Sequence, residues 1–260
     1  MTDRVTYSGY LRLDQLLSAQ QPRSGEHDEM LFIVVHQIYE LWFKQLLHEF
    51  GKLQAELAAG ETTHAMRTLR RALAILKIVV AQLDVLETMT PTQFTRFRDM
   101  LGTSSGFQSA QFRELEAVLG RRDPVMVAVY DKGSPERERI EAAMSRPSLF
   151  DSFARYLTGQ GYDVPADILH RDVSQPLEAS HGMQQVLKQV YDDDTDATAV
   201  CELLVDLDEG MQEWRYHHVK MVERTIGGRR GTGGSAGATY LRTTVGQPTF
   251  PDLWAVRSMG

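Results

Sequence analysis

Between Val200 and Thr225 the apolar residues recur as Val200, Leu204, Leu207, Met211, Trp214, Met221 and Thr225. Steps of three and four of this kind fit one face of an α-helix and nothing else in the backbone repertoire. The position skipped by that series is 218, a histidine. His218 is therefore expected on the buried seam, whereas His217 falls in phase with Gly210, Glu213, Lys220 and Arg224 and is expected to face water or a partner. A buried imidazole must satisfy two ring nitrogens. A backbone carbonyl can do this in a plain core, and so can a metal or a haem iron. The seam alone leaves both open.

The segment C-terminal to the seam favours a ligand site. Six glycines stand from Gly227 to Gly237, interleaved with Arg229, Arg230 and Thr232. Glycines let backbone N–H groups approach a ligand closely, and the arginines and threonine offer anion and hydroxyl contacts.

The rest of the chain reads helical as well, with no alternating strand pattern bounded by hairpin turns. The expected class is all-α, a helical bundle in one domain spanning residues 1–260. Asp28 to Phe50 is apolar on more than one side, as in a helix buried mid-bundle. Thr63 to Met89 carries a heptad-like seam, and the two should pair antiparallel around Gly60. Thr90, Pro91 and Gln93 restart a helix with a capping box that ends before Gly102. A further helix is expected from Phe107 to Leu119, stopped by Gly120. Residues 121–176 are charged and proline-punctuated, so they are expected as a peripheral excursion, with Ser148 capping a helix through Leu157. An acidic run at 192–196 separates a shorter helix from the long one carrying His218.

Composition sets the limits. The formal charge is −7, with basic residues scattered, which argues against a nucleic-acid partner. Cys201 is the only cysteine, so no internal disulfide or thiolate metal cluster can form, and a cytoplasmic setting is expected. No apolar run approaches the roughly 20 residues of a membrane span, so no membrane partner is expected.

Candidate chemistry gathers on two other helices. Phe32, His36, Tyr39, Phe43 and Leu47 share one face, which sets a second inward histidine among aromatics. Arg98 stands beside Phe94, Phe97 and Leu101, just before the hydroxyl-rich turn Thr103, Ser104, Ser105, Gly106. A guanidinium there can clamp a carboxylate or merely offset the end of a helix dipole. Glu61 with His64, and Glu178 with His181, match the Glu-x-x-His spacing of di-iron bundles, but neither falls on a core seam. Gly231 to Ala236 fits G-x-G-x-x-A, yet a helix precedes it where a dinucleotide fold needs a strand. Two inward histidines could bind a haem from both sides, as in an electron-transfer or sensor protein, or one could bind it while the other faces a substrate.

Four separated blocks then carry a family resemblance: His27-Asp-Glu-Met-Leu-Phe-Ile-Val-Val-His36 with Tyr39 to Lys44, Leu86 to Pro91, Phe97-Arg-Asp99 with Ser104 to Ser109, and Trp214-Arg-Tyr through Gly231 to Ser235. In this order they resemble tryptophan 2,3-dioxygenase. The resemblance implies a homotetrameric all-helical haem b enzyme of tryptophan catabolism, which adds both atoms of O₂ across the indole C2–C3 bond of L-tryptophan to give N-formylkynurenine. It further implies His218 as the axial iron ligand and His36 as the catalytic-side histidine that hydrogen-bonds the indole N–H. Phe32 and Phe94 would line the indole pocket, Arg98 would bind the substrate carboxylate, and Thr232 would meet the ammonium and carboxylate end. Ser105 and Gly106 would border haem and substrate. Residues 1–25 would form a segment exchanged between subunits, carrying Tyr7 and Tyr10 into the neighbour's pocket. Phe94 stands where some members have tyrosine, and Ala236 where the usual loop has a second serine. Such departures also suit a relative that acts on a substituted tryptophan, or that transfers one oxygen atom to give a 2-oxindole.

Overall fold

The computed structural model describes residues 5–229, 231–232 and 238–259. Among these there are helices and turns but no strand. In chain order the α-helices are α1 (Tyr7–Leu11), α2 (Leu13–Leu17), α3 (His27–Ala58), α4 (Thr62–Leu86), α5 (Pro91–Arg98), α6 (Ala110–Leu119) and α7 (Pro124–Val127). They continue as α8 (Pro135–Met144), α9 (Leu149–Gly159), α10 (Ala166–Leu169), α11 (His181–Asp193), α12 (Asp196–Ile226), α13 (Ala238–Thr244) and α14 (Pro251–Ala255).

Three long helices make the frame: α3 and α12 both pack on α4. Helix α3 runs two turns past Phe50 because Leu53 and Leu57 prolong its buried stripe. Gly60, at φ +71°, then turns the chain back into α4. Tyr39 Oη donates to the Val79 carbonyl at 3.1 Å and Gln82 Nε2 to the Val35 carbonyl at 2.8 Å, which fixes the α3–α4 register. Thr195 caps α12, and the seam residues Val200, Leu204, Leu207, Met211, Trp214 and Met221 are all buried. Gly210 differs from its sequence reading. A Cβ at this position would lie 2.7 Å from Leu76 Cδ2, so the residue marks a close approach of α12 to α4 rather than a polar face.

The capping box forms as expected: Thr90 N–H donates to Gln93 Oε1 at 2.8 Å, and Gln93 N–H to Thr90 Oγ1 at 3.3 Å. The helix expected from Phe107 to Leu119 is divided. A 3₁₀ turn occupies Gly106–Gln108, and α6 starts afresh because Ser109 Oγ accepts the Phe112 N–H at 3.2 Å. Within residues 121–176, Leu149, Phe150, Phe153 and Leu157 of α9 are fully buried and α9 packs on α3, so this stretch reaches the core. Its ends are drawn together by Arg122, which donates to the carbonyls of Val173 at 2.8 Å and Arg146 at 2.9 Å.

The C-terminal residues return to α12. Asp208, with no exposed surface, accepts the N–H groups of Thr249 at 2.8 Å and Phe250 at 3.0 Å and the Trp254 indole N–H at 2.9 Å. At the other end, α1 and α2 contain no buried residue. No helix is long and apolar enough to cross a membrane among the described residues.

Candidate functional site

Helices α3, α4, α5, α6 and α12 enclose a cavity of about 220 Å³. That is far more than a single water needs. The sequence-predicted residues Phe32, His36, Phe94, Arg98, Ser105, Gly106, His218 and Thr232 all line it. Tyr7 and Tyr10 do not. They lie on α1 with 76% and 77% of their surfaces exposed. Arg230 and residues 233–237, including Ala236, fall outside the described residues.

His36 sits one turn after Phe32 on α3, and its Nδ1 lies 2.7 Å from the Phe32 carbonyl. A carbonyl only accepts, so Nδ1 carries the proton and Nε2 keeps a lone pair. Burial pushes the His36 pKa down, outweighing the Phe32 hydrogen bond and the Glu40 charge that push it up. The ring is therefore a neutral acceptor near pH 7. Its walls are aromatic: the Phe32 ring centroid lies 4.1 Å from His36, 5.9 Å from Phe94 and 5.7 Å from Phe97.

His218 is in the opposite bonding state. Its ring stacks beside Trp214 with centroids 4.9 Å apart, but neither ring nitrogen has a hydrogen-bond partner among the described residues. Burial, then the neighbouring His36 and Arg113, push its pKa down to about 4. This neutral imidazole is a lone-pair donor without a protein partner among those residues, which is what an axial metal ligand requires. His217 is half-buried like His218, but of the two only His218 lines the cavity.

The mouth of the cavity is tied across two segments, because Thr232 Oγ1 donates to the Ser104 carbonyl. Arg98 ends α5 directly beneath that turn. Sequence reasoning missed a charged patch on the same cavity wall, formed by Arg113 and Glu116 of α6 and Arg215 of α12. Their i, i+3 spacing on α6 reads as a solvated pair; the packing of α6 on α3, α8 and α9 and the approach of Arg215 from α12 make it part of the interior. The Glu-x-x-His pairs stand elsewhere. Glu61 and His64 are exposed at the start of α4, 2.9 Å apart and near Glu56, while Glu178 precedes α11 and both it and His181 are exposed.

The sequence matches the family model described as tryptophan 2,3-dioxygenase over residues 2–142 and 177–259. A protein of Anaeromyxobacter sp. (strain K), named tryptophan 2,3-dioxygenase, is 62% identical over 97% of this chain and 95% of its own length. Those of Herpetosiphon aurantiacus and Caulobacter vibrioides, named alike, are 54% and 42% identical, each over 99% of both chains. Identity at this level over nearly the full length of both chains is more than one shared motif can produce. The chain belongs to the tryptophan 2,3-dioxygenase family.

Proposed function

We propose that this enzyme adds both atoms of O₂ across the indole C2–C3 bond of L-tryptophan to give N-formylkynurenine, using a haem b held by His218. The observation that carries the reading is the pair of histidines on one cavity, His36 with Nδ1 already committed to Phe32 and His218 committed to no other described residue. The cavity suits a haem: it offers one neutral imidazole without a partner among the described residues, and a lining of Leu, Met and Phe with three arginines, Arg98, Arg113 and Arg215. When bound, the haem supplies the redox chemistry that activates O₂.

The protein supplies orientation and dryness. His36 Nε2 accepts a hydrogen bond from the indole N–H, a donor that cannot pair with an aromatic wall. It holds that proton and need not remove it, since an indole N–H is a very weak acid. Phe32 and Phe94 press on the indole faces and exclude water. Arg98 takes the substrate carboxylate in a charge-assisted pair, and Thr232 meets the ammonium and carboxylate end from the mouth. Ser105 and Gly106 border both cofactor and substrate. Tyr7 and Tyr10, exposed in the single chain, fit an arm that completes a neighbour's cavity in a homotetramer. A cytoplasmic setting accords with the single buried cysteine.

Turnover of reduced enzyme with L-tryptophan and ¹⁸O₂ tests this reading: N-formylkynurenine should carry two labels. A singly labelled 2-oxindole, or turnover only of ring-substituted tryptophans, would overturn it. Failure of the reduced, haem-loaded protein to bind CO would point instead to both histidines on iron.

A further inference from the structure

Two arginines, Arg113 of α6 and Arg215 of α12, meet one carboxylate, Glu116, on the cavity wall. Arg113 and Arg215 are each 8% exposed and Glu116 is 5% exposed. Glu116 is shared three ways: Arg113 pairs with Oε2, while Arg121 at 3.4 Å and Arg215 at 3.7 Å meet Oε1. Arg121 has a second carboxylate, Asp123, at 3.5 Å, so among the described residues the two buried arginines share Glu116 as their one ion-pair partner. The other acids nearby are engaged. Glu40 receives Gln111 at 2.8 Å, and Asp208 is taken up by Thr249, Phe250 and Trp254. Arg215 otherwise donates to the neutral Gln247 carbonyl at 3.1 Å.

The same wall holds unpaired donors. Arg113 Nε, Arg215 Nε and Trp214 Nε1 are buried without a hydrogen-bond partner among the described residues. All three residues line the cavity. None of these groups can accept, and leaving a donor or a charge buried and unpaired is costly. A group that answers all of them at once is anionic and accepts from several directions, as a carboxylate does. Arg98 belongs to a different element, α5, so the cavity takes one cationic group from α5 and a cationic pole from α6 and α12. The proposed contents bring carboxylates of two kinds, those of the porphyrin and that of the amino acid.

We propose that Arg113, Arg215 and Trp214 form the receptor for a propionate carboxylate of the haem, which leaves Arg98 for the carboxylate of the substrate. This rests on the haem reading above. The pole on α12 lies within one turn of the iron ligand on the same helix, since residues 214, 215 and 218 are spaced by three and four. Cofactor anchoring through iron and through carboxylate would then share one rigid element, while substrate anchoring moves with α5.

The test is the rate at which ferric holoenzyme gives up haem to excess apomyoglobin, followed in the Soret band. Arg215→Leu and Trp214→Phe should each release haem about 10- to 100-fold faster, the effect of one charged hydrogen bond. Trp214→Phe keeps a ring beside His218 and removes only the donor, so it serves if Arg215→Leu fails to fold. Protein loaded with haem dimethyl ester should lose it rapidly, and at the same rate in wild type and variants. Equal release of haem and ester by the wild type, or unchanged haem release by both variants, would overturn the receptor while leaving the haem reading intact. A wild type that takes up neither porphyrin overturns the haem reading itself. If the variants instead abolish the preference for L-tryptophan over tryptamine with haem release unchanged, the pole belongs to the substrate carboxylate.

Discussion

Replacing His36 with alanine removes the proposed acceptor for the indole N–H, and the structure sets the size of the effect. Nδ1 is fixed at 2.7 Å from the Phe32 carbonyl, so the ring cannot flip to offer a donor and the lone pair on Nε2 is its only contribution to a substrate. Loss of that acceptor leaves an indole N–H buried with no partner, which costs about 1–3 kcal/mol, or roughly 5- to 150-fold in kcat/KM. Packing is lost as well, because the Phe32 ring lies 4.1 Å from His36, but that loss falls on any indole. Steady-state kinetics with L-tryptophan and 1-methyl-L-tryptophan separate the two contributions. The first substrate should fall by the full factor. The second has no N–H and meets a crowded His36 in the wild type, so it should fall much less or improve. Both substrates falling by one common factor, in variants that retain a normal Soret band, would refute the hydrogen bond and leave His36 a packing residue.

Three other outcomes are set by the geometry. His218→Ala should fail to retain haem through gel filtration while His217→Ala retains it; equal loss in the two would mean that the wrong face of α12 had been assigned. Arg98→Leu should weaken L-tryptophan binding by about 2–4 kcal/mol and leave tryptamine nearly unaffected, so an unchanged L-tryptophan affinity would remove Arg98 as the clamp. Burial pushes the Asp151 carboxyl up, but the Arg171 and Ser148 hydrogen bonds outweigh it and hold the pKa below its ordinary value. Its contribution to stability is therefore present above the unfolded value of about 3.9 and is lost as pH falls through the folded one. Urea unfolding between pH 5 and 3 should show a shallower acid dependence in Asp151→Asn than in wild type, and an identical slope would count against the assignment.

The elements legible in the sequence were those whose chemistry is local. Thr90, Pro91 and Gln93 declare the start of α5 within four residues, and the structure places both capping bonds there. Ser148 does the same for α9, and the seam from Val200 to Met221 is buried as its period requires. The aromatic positions around His36 came from the same face of α3. The boundary at Ser109 was missed because the preceding 3₁₀ turn keeps apolar Phe107 near the phase of the next helix. Gly210 was misread because a glycine on a helix carries no signal of what lies opposite it; the crowding comes from Leu76, far away in sequence. The buried core contribution of α9 was likewise invisible, since nothing in its flanking charges says that α3 will cover it.

Burial of Arg113 and Glu116 is the deepest of these failures, and its cause bears on how the cavity works. On α6 the two form an ordinary i, i+3 ion pair of the kind that helices carry on wet faces. They become part of a site when α3, α8 and α9 cover α6 and α12 brings Arg215 to the same carboxylate. In that setting the weak surface pair is replaced by charges whose energies depend on what else occupies the cavity. The two histidines differ for the same reason. His36 meets its carbonyl within its own helix, so the partner was one turn away in sequence. His218 meets none among the described residues, and neither do Trp214 Nε1 and Arg215 Nε beside it. Where several polar groups along one turn of one helix meet no partner among the described residues, the deficit is local to a face, and a group from outside the chain is what fits it.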